Sequence, residues 1–160
     1  MRCFCTCWIT LLLFITVSTA AAAEIDGFRN FRWGMDQAAF LETDQKSIEG
    51  HMGAVQGVES FQLKNDDLEI GGVKADGIVY SFFKGKFASV DIDFKGFDNF
   101  EKLTAYCKKT FGPVTGAVTM KLEYYAGFDS PKTGAMLLYQ LSMANSSYGK
   151  LYIYSKELLN

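Results

Sequence analysis

Residues Phe87–Pro113 read FASVDIDFKGFDNFEKLTAYCKKTFGP. Within this stretch the hydrophobic period changes once, and the change decides the fold. Ala88, Val90, Ile92 and Phe94 alternate with Ser89, Asp91 and Asp93, as in a strand with one buried and one wet face. Beyond Gly96 the spacing lengthens: Phe100, Leu103, Cys107 and Phe111 recur every three to four residues and form one apolar helical stripe. Asp98 is the expected N-cap, with Glu101 three residues on completing a capping box. Lys108 and Lys109 complement the C-terminal end of the helix dipole, and Gly112-Pro113 stops the helix. A half-buried strand running into an amphipathic helix implies an antiparallel sheet with helices packed on one face.

The flanks extend this reading. GIVYSFF (Gly77–Phe83) is a second strand, joined to the first through Lys84, Gly85 and Lys86, where Gly85 allows a tight hairpin. SFQL and LEIGGV offer one or two weaker strands before it. After the helix, Val118, Met120, Leu122 and Tyr124 alternate with Thr119, Lys121, Glu123 and Tyr125 as one strand. GAMLLYQLSM and GKLYIYS follow, set off by the turn-rich FDSPKTG and ANSSYG. The resulting expectation is one α+β domain over residues 24–160. Its antiparallel sheet has about six strands and two helices on one face, in helix–meander–helix–meander order.

Near the start, FRNFRW has strand character and Gly34 permits a sharp turn. Asp36 then sits where an N-cap belongs, with Met35 and Phe40 at the two positions of a hydrophobic staple. Trp33, Gly34, Met35 and Asp36 thus read as a structural joint, with Trp33 filling the core beside the new helix. The competing reading makes Trp33 an exposed stacking platform.

Residues 1–23 have the pattern of an export leader: Arg2, the apolar run Trp8–Val17, and small residues at Ala21 and Ala23. Cleavage after Ala23 would leave about 137 residues and take away Cys3, Cys5 and Cys7, so that Cys107 is the one remaining thiol. It would also move the formal charge from −2 to −3. The expected product is a soluble periplasmic or secreted protein without a membrane-spanning segment. No basic stripe exists to bind nucleic acid.

FRNFRWGM resembles the F-R-x-x-x-W-G-M opening of an uncharacterised group of small exported bacterial proteins. GIVYSFFKGKFASVDIDFKGFDNFEKL followed by FGPV is similar to their middle section. A looser similarity runs to the BamE/SmpA outer-membrane assembly lipoproteins, which also begin a helix after a Gly-Met turn. This chain has no lipobox cysteine at the end of the leader, where a lipid would be attached. The resemblance implies export and an α+β fold. It implies no activity.

Candidate chemistry is sparse. His51, the single histidine, lies in the glycine-flanked IEGHMGA, read as a loop, and lacks a visible orienting partner. Cys107 sits on the apolar helical stripe, which points to a buried inert thiol. Asp91 and Asp93 share a strand face, where they could divide acid and base roles or bind a hard cation; alternating charge on a wet face is the simpler reading. Lys64–Glu69 (KNDDLE) lacks the spacing and glycine of a calcium loop. No catalytic, metal or cofactor motif emerges. The notable feature is aromatic: Tyr125, Tyr152 and Tyr154, joined by Phe83, fall on the face opposite Leu122, Leu151 and Ile153. That face is either covered by the 42–60 segment or docks an envelope protein or a small apolar ligand. The expected role is therefore a non-enzymatic binding module. A lipid or lipoprotein carrier, or a hydrolase using Asp91, Asp93 or His51, are the alternatives.

Overall fold

The computed structural model describes residues 24–44, 48–55, 57–142 and 147–159; the leader expected over residues 1–23 lies outside them. In chain order, β1 (Gly27–Phe28) and β2 (Phe31–Arg32) form a miniature hairpin, followed by α1 (Gln37–Asp44). Then come β3 (Ile48–Val55), β4 (Val58–Leu63), and a second miniature hairpin of β5 (Glu69–Ile70) and β6 (Val73–Lys74). Next are β7 (Gly77–Phe83), β8 (Lys86–Lys95) and α2 (Phe97–Phe111). The chain continues through β9 (Val114–Met120), β10 (Glu123–Asp129), β11 (Thr133–Gln140), β12 (Tyr148–Ser155) and a short α3 (Lys156–Leu159).

The main sheet has eight strands in the order β3-β4-β7-β8-β12-β11-β10-β9, every pair antiparallel. The order is palindromic about the β8–β12 pair. Each half is a helix followed by a four-strand meander, and the two final strands meet in the middle. Helix α2 carries the chain from the centre of the sheet to its far edge, so the second meander runs back inward.

Alternation sets the register. Ile92 lies opposite Ile78 on one side and Leu151 on the other, and Leu151 lies opposite Leu137. All four are at most 2 % exposed. Over one half of this face, Phe40 of α1 packs against Phe61, Tyr80 and Phe82, with Phe31 and Phe87 closing the ring cluster. Over the other half, α2 lays Leu103, Cys107 and Phe111 onto the sheet, and Phe100 packs on Tyr139. Tyr80 and Leu137 share a face through this register, so α1 and α2 lie on the same side. Each buried ring removes enough apolar surface to contribute about 1.5–3 kcal/mol.

Several details differ from the sequence reading. The main sheet has eight strands rather than about six, and there are three helices rather than two. IEGHMGA is a strand, β3, rather than a loop; Gly50 and Gly53 interrupt its alternation, and its register with β4 shifts at those places. The expected single strand over 118–125 is two strands. Lys121 takes a φ of 29° and, with Leu122, forms a two-residue hairpin between Met120 and Glu123. Neither turn residue is glycine, proline or asparagine, so composition gave no sign of the turn. FRNFRW is a hairpin turning at Arg29 (φ 55°) rather than one strand. Helix α2 is capped by Gly96 without a side-chain cap bond; Asp98 lies in its first turn.

Candidate functional site

The Trp33–Asp36 stretch is a zipped joint. Gly34 N–H donates to the Phe87 carbonyl (2.9 Å), and Phe87 N–H donates back to Met35 (2.8 Å). Phe40 N–H donates to the Asp36 carbonyl (3.1 Å), so Asp36 starts α1, while its carboxylate pairs with Lys86 (2.8 Å). Trp33 is partly buried and stacks on Phe87 with centroids 4.9 Å apart. Its indole N–H donates to Thr133 Oγ1 (2.7 Å), and that hydroxyl donates to the Ile25 carbonyl (2.5 Å). Arg29 pairs with Asp66, and Tyr80 donates to the same carboxylate (2.8 Å), which fastens the first hairpin to the sheet. These contacts all face inward or bind the chain to itself.

The helix-free face of the sheet is different. Four of the large apolar side chains that remain exposed stand on it: Met120 (54 %), Val118 (50 %), Tyr148 (48 %) and Met136 (45 %). The ladder arranges them. Val118 lies opposite Tyr125, Tyr125 opposite Leu138, and Leu138 opposite Lys150. One step along, Gly116, Gly127, Met136 and Tyr152 form the next row. Tyr152 and Tyr154 stack with centroids 5.2 Å apart at 20°. Tyr154 lies across Gly134, whose missing side chain makes room for the ring. Strands lie about 4.8 Å apart, so Val118, Tyr125, Leu138, Met136, Tyr152 and Tyr154 form one continuous apolar area. At its end, Met120, Leu122, Gln140 and Leu141 line a shallow groove.

Charge rims this area. Lys150 Nζ lies 3.2 Å from Asp91 and 3.4 Å from Asp93, bridging them. Partial burial opposes the charged ammonium, but the two carboxylates outweigh it and raise the Lys150 pKa. Asp91 and Asp93 are thus occupied with a cation of the chain itself. Glu123 accepts hydrogen bonds from Tyr125 (3.0 Å) and Gln140 (2.9 Å) on the opposite rim.

Among the residues singled out in the sequence, Tyr125, Tyr152 and Tyr154 come together on this face through Met136 and Leu138. Phe83 is on the same face but apart. It sits on β7 beyond Ser81 and Ser89, with the Lys84 ammonium 4.9 Å from its ring centroid. Val118 and Met120 were missed. The unseen turn at Lys121–Leu122 reverses the phase of the alternation, and so moves Val118 and Met120 to the Tyr125 side. The described strands of the 42–60 segment, β3 and β4, lengthen the sheet and do not cover the face.

No catalytic grouping is assembled from the other candidates. His51 lies opposite Phe61 on β3, three strands from Asp91, roughly 14 Å at ordinary strand spacing. Cys107 is fully buried, and burial pushes its thiol pKa up to about 12. Among the described residues, no group of three or more His, Cys, Asp or Glu is placed to hold a metal ion, and no helix is long and apolar enough to cross a membrane. No protein-family model matches the chain, and neither a characterised protein nor a solved structure matches it.

Proposed function

We propose that this chain is a small exported, non-enzymatic binding module of the cell envelope, and that it docks a partner on the helix-free face of its sheet. The observation that carries this reading is the asymmetry of the sheet. One face is closed by α1 and α2 over a dense aromatic core. The other leaves Val118, Met120, Met136 and Tyr148 about half exposed around stacked Tyr152 and Tyr154. Large exposed apolar patches with polar rims mark interaction surfaces, and tyrosine and methionine are enriched at their centres. The leader pattern over residues 1–23 and the resemblance to exported bacterial proteins support the location.

A lipid held between helix and sheet fits the geometry less well, because Leu103, Cys107, Phe111 and Leu137 fill that space at 0–2 % exposure. An apolar ligand would have to lie on the open face or in the groove beside Leu122. A hydrolase would need Asp91, Asp93 or His51 to gather, and the sheet holds His51 apart from the aspartates.

The test is crosslinking in intact cells of the native host, using the full chain and its Tyr152→Ser/Tyr154→Ser variant. The crosslinked products are identified by mass spectrometry, and folding of both forms is checked by thermal melting. The expected outcome is loss of the crosslinked partner with the domain still folded. An unchanged crosslinking pattern refutes the reading.

A further inference from the structure

We propose that β9 is the edge along which a second copy of this chain adds, strand against strand, across a two-fold axis at Ala117. Among the described residues β9 pairs only with β10, so its outer row of backbone groups is open. Thr115 through Met120 are all exposed. Edge strands are usually blunted by charge, by proline, or by being very short. Val114–Met120 reads VTGAVTM: seven residues without a charge or a proline. The irregularity in its pairing lies at its start, where the register shifts between Gly127 and Phe128, and leaves residues 116–120 regular.

The strand is also complementary to itself. Antiparallel pairing about Ala117 sets Ala117 against its own copy, Thr115 against Thr119, and Gly116 against Val118. Val118 and Gly116 point to the helix-free face, as their partners Tyr125 and Gly127 do. Val118, 50 % exposed, would then fill the space beside a glycine of the other copy, twice over. No like charges meet across the axis. This edge offers no charge to complement a charged partner strand, whereas a second copy matches it residue for residue. A two-fold axis normal to the sheet keeps both helix-free faces on one side, joining them into one surface. The β9 edge would pair in this way whether or not the helix-free face docks a partner.

The test uses the chain expressed with its leader and purified as the cell leaves it, its N-terminus fixed by mass spectrometry. Sedimentation velocity is run from about 1 µM to about 500 µM, the range in which so small an interface would assemble. The expected result is a concentration-dependent doubling of mass. Ala117→Lys and Ala117→Glu place like charges face to face and should each be monomeric, while their equimolar mixture should restore the dimer. Ala117 is exposed, and unchanged melting confirms that each variant is folded; a misfolded variant would not be rescued by its opposite. A wild-type monomer at every concentration overturns the proposal, as does a dimer indifferent to both substitutions.

Discussion

Two glycines, on neighbouring strands, lie under aromatic rings on opposite faces, and replacing each with alanine measures how free those faces are. Gly149 of β12 faces the core, where a methyl group would come closer than 3.0 Å to the ring of Phe94. Phe94 is 1 % exposed and stacks on Tyr139 at 6.3 Å, so its ring has nowhere to go. Gly134 of β11 faces the helix-free side, and its added methyl would meet the Tyr154 ring as closely. Tyr154 is only partly buried and can swing outward. Neither glycine has the positive φ that would strain an alanine, so the clash is isolated from backbone effects. Overpacking a closed core costs about 1–3 kcal/mol. The reduced freedom of the unfolded chain returns about 0.4–1 kcal/mol. Gly149→Ala should therefore lose about 1–2 kcal/mol, a fall in Tm of roughly 3–10 °C for a domain of this size. Gly134→Ala gives up at most the tyrosine stacking, about 0.5–1.5 kcal/mol, against the same return, and should be near neutral. Urea denaturation followed by circular dichroism reads both. Equal losses, or a larger loss for Gly134→Ala, would mean that Tyr154 is held in place and that this face is not open.

Trp33→Phe keeps a ring on Phe87 but removes the indole donor to buried Thr133, and should cost about 1–2 kcal/mol. A double-mutant cycle with Thr133→Val should show that most of the loss is shared by the pair, and additive losses would reject the joint. Alkaline conditions should weaken the fold. Burial raises the Cys107 thiol to about 12, and burial together with the Asp66 contact raises the Tyr80 hydroxyl above its usual value. Both groups fold neutral, so their contribution is intact below the unfolded pKa values of about 8.5–10 and is lost as pH rises through and beyond them. Denaturant midpoints should hold near neutrality and fall above about pH 9, with Cys107 unlabelled by thiol reagents until unfolding. Rapid stoichiometric labelling of the native protein at neutral pH would contradict this.

Much of the fold was legible because local pattern and tertiary environment agree. The alternation over Phe87–Phe94 and the stripe of Phe100, Leu103, Cys107 and Phe111 are expressed as β8 and α2, and Gly85 forms the expected hairpin with Lys84. The Gly34 turn and the α1 start at Asp36 were equally visible. Legibility failed where a turn carried no glycine or proline, at Lys121–Leu122, and where glycines broke up a genuine strand, in β3. The first failure had a consequence for the candidate site. A hairpin reverses which residues share a face, so Val118 and Met120 were assigned to the side opposite Tyr125.

The sequence by itself determined the class of structure, since hydrophobic period states which face of each element is buried. It also determined that Cys107 would be enclosed, from its place on the α2 stripe. Only the tertiary structure decided which strands adjoin. That choice set β12 against β8, put Tyr152 beside Asp91 and Met136, and left β9 at the edge. Period reports burial along the chain; adjacency across a sheet depends on pairings between residues distant in sequence, which no local pattern encodes.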